Sequence, residues 1–413
     1  MKILIHGINY APERTGIGKY TGEMSEWLAA RDHKVRVVTA PPYYPVWQVG
    51  EGYSAWAYRR ERRAGVAVWR CPLWVPVRPT GIERLLHLAS FAASSFPVML
   101  RQALWRPDVV MVIEPPLFCA LQAWMSARLC GAKTLLHIQD FELDAAMSLG
   151  MLGKGSVQHI LYKVEKFLMQ GAARVSAISG EMRRRVVEKG IPKDRTWLFP
   201  NWSDVGFVRP MPRDNEVRWE LGARPDDVLV LHTGNMGEKQ GLDLVLDAAD
   251  RLRDLREIKF AMIGDGVSRE SLMKAVKLRR LGNVCFFPVQ PLERLPLMLA
   301  AGDIHLVVQR REAASLVMPS KLTNILAAGR PSVATAEPRT ALYDVLKEYD
   351  CGLVTAPGNA KELAAGIVAL AGNPRERERL GQNARQYAES YLNKDKILSE
   401  FESRLQELVK EGA

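Results

Sequence analysis

Two lysines set among glycines and hydroxyls are the residues of this chain best placed to do chemistry. Lys239 lies in Leu231-His-Thr-Gly-Asn-Met-Gly-Glu-Lys-Gln-Gly, and Lys321 in Pro319-Ser-Lys-Leu-Thr-Asn-Ile-Leu-Ala-Ala-Gly. Between them stands Met262-Ile-Gly-Asp-Gly. Each stretch puts a glycine turn or a helix start at the end of an apolar run, where backbone N–H groups and a positive helix end can face a diphosphate. Proline at 319 sits where a helix first tolerates it, so Pro319, Ser320 and Lys321 are expected at the diphosphate. Gly234, Asn235, Gly237, Lys239 and Gln240 form the facing loop, with Gly264, Asp265 and Gly266 as a second turn. A departing diphosphate is an anion. Charge-assisted hydrogen bonds contribute about 1.5–3 kcal/mol each, so two lysines could supply much of its stabilisation.

The first half of the chain carries a second constellation. Gly16-Ile-Gly18 follows the opening strand and is expected to approach the same phosphates, accompanied by Glu13, Arg14 and Lys19. The run Thr134 to Gln139 reads as a strand that ends in Asp140-Phe-Glu-Leu-Asp144. A carboxylate at the C-terminal end of such a strand opens into the crevice of a doubly wound domain, which singles out Asp140, with Glu142 and Asp144 behind it. The alternative for Asp140 is a cap on the next helix. No Asp-x-Asp pair of the kind that holds Mg²⁺ is present, and Asp243 and Asp247 read as a helix surface. The remaining histidines show no ligand spacing. The expectation is therefore no metal and no cofactor.

Positioning these residues requires parallel strands. Lys2-Ile-Leu-Ile, Val35-Arg-Val-Val-Thr, Val109-Val-Met-Val-Ile and Thr134-Leu-Leu-His-Ile alternate with helical lengths, and the alternation restarts at Val228-Leu-Val-Leu-His. Apolar strands between helices mean a sheet covered on both faces. The fold class is thus α/β, with two doubly wound, Rossmann-like parallel-sheet domains expected to face each other across a cleft. A chain of 413 residues suits two domains of roughly 200. The expected boundaries are 1–200, a proline-rich linker over 201–225, and 226–389. A C-terminal helix from about 390 to 413 is expected to pack back on the first domain.

The net charge of +11 falls entirely within residues 1–200, which hold 27 basic and 16 acidic side chains, while 201–413 holds 30 of each. A basic half suits an anionic partner, here a membrane surface or a lipid diphosphate. Nucleic acid is not expected, because no recognition motif for it is present. Residues 82–104 are largely apolar, flanked by Arg78, Arg84, Arg101 and Arg106, and too short in their uninterrupted part to span a bilayer. They read either as a helix in the lipid interface or as a buried core helix. Five scattered cysteines form no framework and fit a reducing compartment. The opening strand Lys2-Ile-Leu-Ile reads as mature protein without a signal peptide.

With Met262-Ile-Gly-Asp-Gly, Ala327-Ala-Gly-Arg-Pro-Ser-Val-Ala-Thr and the two-domain plan, the chain resembles the retaining GT-B glycosyltransferases of family 4. Gly7-Ile-Asn-Tyr-Ala-Pro-Glu-Arg-Thr-Gly-Ile-Gly-Lys-Tyr, Thr39-Ala-Pro-Pro-Tyr-Tyr-Pro, Leu136-His-Ile-Gln-Asp and Phe199-Pro-Asn-Trp-Ser are similar to the colanic-acid exopolysaccharide branch of that family. The resemblance implies a nucleotide-sugar donor, GDP-fucose or another GDP-sugar. It implies an acceptor glycan linked to polyprenyl diphosphate, on the cytoplasmic face of the inner membrane. It also implies a reacting histidine or aspartate near the Thr134–Gln139 strand, for which His137 and Asp140 are the candidates. The chain departs from the family where an arginine and a lysine are usual, at Asn235 and Gln240, and where paired glutamates are usual, at Leu316 and Asn324. Lys239 and Lys321 could restore the charge, and Asn324 could still bond a hydroxyl. A sugar-nucleotide epimerase of similar fold and a non-catalytic nucleotide-sugar-binding subunit are the competing readings.

Overall fold

The opening apolar run becomes the first of eight strands in one sheet: β1 (Lys2–His6), β2 (Lys34–Thr39), β3 (Arg59–Arg63), β4 (Val66–Arg70), β5 (Val109–Glu114), β6 (Lys133–Ile138), β7 (Arg174–Ala177) and β8 (Thr196–Leu198). They run in the order β3-β4-β2-β1-β5-β6-β7-β8. β1 and β5 pair in parallel at the centre, and every residue of β5 is buried, as a strand covered on both faces must be. Among the described strands β3 alone pairs antiparallel, and its exposed Arg59, Arg60, Arg62 and Arg63 protect that edge from pairing with another chain.

A second sheet holds β9 (Val228–Thr233), β10 (Ile258–Ile263), β11 (Val284–Phe287), β12 (Ile304–Val307), β13 (Ser332–Thr335) and β14 (Gly352–Thr355), in the order β11-β10-β9-β12-β13-β14 and parallel throughout. Period-two alternation sends Val228 and Val230 into one apolar cluster and Leu229 and Leu231 into another, so helices cover both faces. The register pairs Thr233 with Ile263, which brings the next residues of each strand, Gly234 and Gly264, level at the C-terminal edge.

The structure is a computed structural model describing residues 1–13, 16–77, 81–144, 156–311 and 319–411. Two units emerge: Met1–Pro200 with Lys396–Ala413, and Asn201–Asp395. In the first, the C-terminal helix Lys394–Lys410 stacks Phe401 on Phe199 at 3.9 Å and sets Glu402 against Arg31 and His33 at 2.8 and 2.7 Å. The segment 201–225 is not a free linker but part of the second unit. Its short helix Glu216–Glu220 buries Arg218 against Asp303 at 2.9 Å, and Arg213 reaches the same carboxylate at 2.7 Å. Composition alone could not reveal that pairing, because its partner lies some 85 residues downstream.

The 82–104 stretch forms the helix Gly81–Ala103 and packs into the core of the first unit through His87, Phe91, Ser95 and Met99. One face of this stretch is therefore core, while Ile82, Leu86 and Leu104 remain exposed. Among the described residues no helix is long and apolar enough to cross a membrane.

Candidate active site

The three glycine-marked stretches of the second unit converge at one sheet edge. Gly234 donates to Ile263 O at 2.9 Å, Met236 to Asp265 O at 2.8 Å, and Ser268 to Met236 O at 2.9 Å, so the loops after β9 and β10 are stitched backbone to backbone. That closeness explains the glycines. A Cβ on Gly264, whose φ is +146°, would lie 1.9 Å from Gly234 O. One on Gly266 would lie 2.6 Å from the Asn235 side-chain oxygen. Asn235, Lys239 and Asp265 are exposed on this surface, and Asp265 accepts the Gly266 N–H at 2.8 Å. Gln240 folds over Gly237, with its Oε1 3.0 Å from where a Cβ on that glycine would stand.

The helix Ser320–Ala327 enters the same place. Pro319 caps it without a side-chain bond, which leaves the first N–H groups to other partners. Ser320 is exposed at its start. Lys321 reaches back so that its Nζ lies 3.5 Å from His232 Nδ1 and 3.9 Å from the Cβ position on Gly234. Burial lowers Lys321 to about 7 from an ordinary 10.5. The buried His232 is held well below its ordinary value, first by burial and then by the Lys321 charge. His232 Nε2, Gln240 Oε1 and Gln309 Oε1 are buried here or at the neighbouring strand end without a hydrogen bond from another described residue. Asn324 Oδ1 accepts Ser203 Oγ at 2.8 Å, so a donor hydroxyl would have to meet its amide NH2. Leu316 lies outside the described residues.

In the first unit the glycine loop is pinned from within. Glu13 is buried and accepts Tyr43 N, Tyr44 N and Asn9 Nδ2, each at 3.0 Å, and burial raises its carboxyl. Gly18 is a glycine because a Cβ there would stand 2.4 Å from Glu13 Oε2. Glu13 therefore shapes the loop rather than meeting an acceptor. Gly16, at φ +59°, opens the helix Gly16–Ala30. Lys19 lies 3.9 Å from Glu23 on that helix, and Arg14 falls outside the described residues.

The carboxylates of the Asp140–Asp144 run follow directly on β6. Asp140 is partly exposed just beyond β6. Glu142 accepts Leu117 N at 2.8 Å and is raised to about 7, by burial first and by the Asp140 charge after it. Asp144 is held by Arg185 at 2.8 Å and Lys189 at 3.3 Å. Sequence reasoning missed Glu114, the last residue of β5. It is wholly buried, neither oxygen has a well-formed hydrogen bond, and burial with the nearby Glu142 and Glu165 charges pushes its carboxyl well up. The signal was the same one that picked Asp140, a carboxylate ending a strand, in Val109-Val-Met-Val-Ile-Glu. Glu114 and Glu142 thus form a pair able to hold a proton at neutral pH.

His137 does not belong to the reacting set. It is buried, its Nδ1 meets Ser176 Oγ at 2.9 Å, its Nε2 meets Gln139 Nε2 at 3.0 Å, and burial lowers it to about 3. A strand residue one place before the end points into the sheet's packing, and the ring sits 4.9 Å from Phe199. His137→Ala should destabilise the fold by about 1–3 kcal/mol, the cost of stranding its partners, while turnover of the folded fraction changes less than about threefold. Chemical unfolding beside initial rates checks both halves.

With this geometry in place, comparison with known proteins is informative. Residues 15–202 match the family described as Glycosyl transferase 4-like domain, and residues 213–387 match Glycosyl transferases group 1. The chain is 47% identical to the putative colanic acid biosynthesis glycosyl transferase WcaI of Escherichia coli K12, over 97% of this chain and 98% of that one. It is 26% identical to the probable glycosyltransferase WbjE of Pseudomonas aeruginosa, over 66% and 68% of the two chains. Among solved structures, sucrose-phosphate synthase from Thermosynechococcus elongatus superposes with a TM-score of 0.77 at 17% identity, over 99% of each chain. The HepE protein of Anabaena in complex with UDP gives 0.72 at 15% identity, over 98% of this chain and 100% of that one. These two likenesses speak for the fold. The near full-length relative, and two glycosyltransferase families matched one after the other, mean that this chain is a GT-B glycosyltransferase and belongs to the WcaI-like family.

Proposed function

We propose that the chain is a retaining transferase that moves a sugar, fucose from GDP-fucose foremost, onto a polyprenyl-diphosphate-linked oligosaccharide during colanic-acid-type exopolysaccharide synthesis. The observation that carries this reading is the Lys321 ammonium, brought beside Gly234 where the two glycine loops meet. The C1–O bond to the donor diphosphate breaks, the acceptor oxygen bonds to C1 on the same face, and the acceptor proton passes to the departing phosphate oxygen. Lys321 and the start of the helix Ser320–Ala327, whose N-cap Pro319 makes no side-chain bond, stabilise the charge that develops on that phosphate. Asp140 and the Glu114–Glu142 pair serve the acceptor side. With this positive charge supplied by protein, the reaction is proposed to need no metal. The acceptor lipid places the enzyme at the cytoplasmic face of the inner membrane, in keeping with the basic excess of residues 1–200.

The test is a heat-stability screen with GDP, UDP, GDP-fucose, GDP-mannose, UDP-glucose and UDP-glucuronate. The expected result is stabilisation by GDP species at ligand concentrations about a hundredfold above Kd, worth about 2.7 kcal/mol at that ratio. Stabilisation by UDP species alone would discard fucose transfer and keep the transferase. No shift with any of them would favour the second reading, a site that has lost its donor through the Asn235, Gln240 and Asn324 replacements.

A further inference from the structure

Two neighbouring helices of the first unit turn apolar side chains to solvent. On the helix Cys119–Cys130 with the residue before it, Phe118, Leu121, Met125 and Leu129 recur every three or four positions and all are exposed, Leu129 by 69%. On the helix Ser156–Gln170, Ile160, Val164 and Phe167 do the same, with Ile160 59% and Phe167 57% exposed. The helices touch through Trp124 and Phe167, whose rings meet edge to face at 6.0 Å. A run of large apolar side chains along two adjoining helices is not ordinary soluble surface. The helix Gly81–Ala103 also exposes Ile82 and Leu86, but beside a carboxylate, Glu83.

The charges around this face choose its occupant. Arg128, Lys163 and Lys166 are exposed beside the apolar residues, with Arg128 lying over Trp124 at 4.9 Å. The helix Cys119–Cys130 contains no carboxylate, and the one on Ser156–Gln170, Glu165, is buried against Lys189 at 2.5 Å. Apolar side chains that can sink below lipid headgroups, on two helices that carry exposed cations and no exposed acid of their own, match an anionic bilayer surface. We infer that the face formed by Phe118, Leu121, Met125, Leu129, Ile160 and Phe167 docks this enzyme onto anionic lipid. The inference rests on the lipid-linked acceptor proposed above and says where the lipid lies.

The full chain is to be sedimented with vesicles of phosphatidylglycerol and phosphatidylethanolamine, and with phosphatidylcholine vesicles. Binding to the anionic vesicles is expected, and Leu129→Glu with Ile160→Glu should weaken it by at least about tenfold, the scale of losing two inserted aliphatic side chains. Both residues are exposed, so the heat-unfolding midpoint should hold. Ile82→Glu with Leu86→Glu, exposed on the helix Gly81–Ala103, should leave binding unchanged. The idea falls if the first variant binds like the unaltered chain, if only the second releases it, or if the first variant instead turns a dimer into a monomer. The vesicles contain neither donor nor acceptor. Failed binding therefore leaves the transferase reading standing, and the acceptor reading falls instead if bound enzyme, supplied with nucleotide-sugar and vesicles carrying a polyprenyl-diphosphate glycan, transfers nothing.

Discussion

Lys321→Ala should lower donor turnover by more than about tenfold with the fold intact, because it removes one charge-assisted bond worth about 1.5–3 kcal/mol. The effect should appear in kcat as well as in KM, since the leaving phosphate gains charge in the transition state. Replacing Lys239 by Ala should cost less, because that lysine is exposed and its charge is already screened. The same lysine sets a pH dependence. Its pKa of about 7 lies below the ordinary 10.5, so between those values the unfolded chain binds more protons than the folded one. The protein alone should therefore gain stability as pH rises through that window. Donor affinity should move the other way, falling above about pH 7, because a diphosphate needs the ammonium form. Initial rates across pH for both chains check this. Near-normal kinetics in Lys321→Ala would end its role.

Gly264→Ala is expected to do more damage than any single side-chain deletion at the site. The methyl would enter at 1.9 Å from Gly234 O while the backbone stays at φ +146°. Both the collision and the disfavoured conformation must be relieved, and moving the turn breaks the Gly234–Ile263 and Met236–Asp265 backbone bonds. A cost above about 3 kcal/mol follows, beyond the usual range for a point substitution. Donor-induced heat stabilisation should vanish with it, because the loop surfaces no longer meet. Gly358→Ala is the matching control, at a positive φ but with nothing within 4 Å of the new methyl. A variant at 264 that unfolds like the control would show that the loops do not need their close stacking.

Much of this was legible before any coordinates. Apolar runs such as Val109–Ile113 and Val228–His232 announce parallel strands because both faces must be buried, and glycines just beyond them announce the turns. The convergence of Gly234, Gly264 and Lys321 followed from the rule that strand ends line the crevice. What stayed hidden was which side of a strand each residue faces. His137 on β6 is packed, whereas Asp140, just beyond the strand's end, is partly exposed. Glu13 looked like a loop carboxylate, but its three donors come from Asn9 and from residues thirty positions away. Long-range pairings such as Arg218 with Asp303 leave no local trace, which is why 201–225 resembled a linker.

The C-terminal helix brings a matter of timing. Its Phe401 and Glu402 complete a unit whose other residues, including Phe199, Arg31 and His33, are made first. On the ribosome the second unit has its whole sequence available while the first still lacks its final layer. The first unit is thus completed only after the second has been made, and no cut at residue 200 yields a complete copy of it.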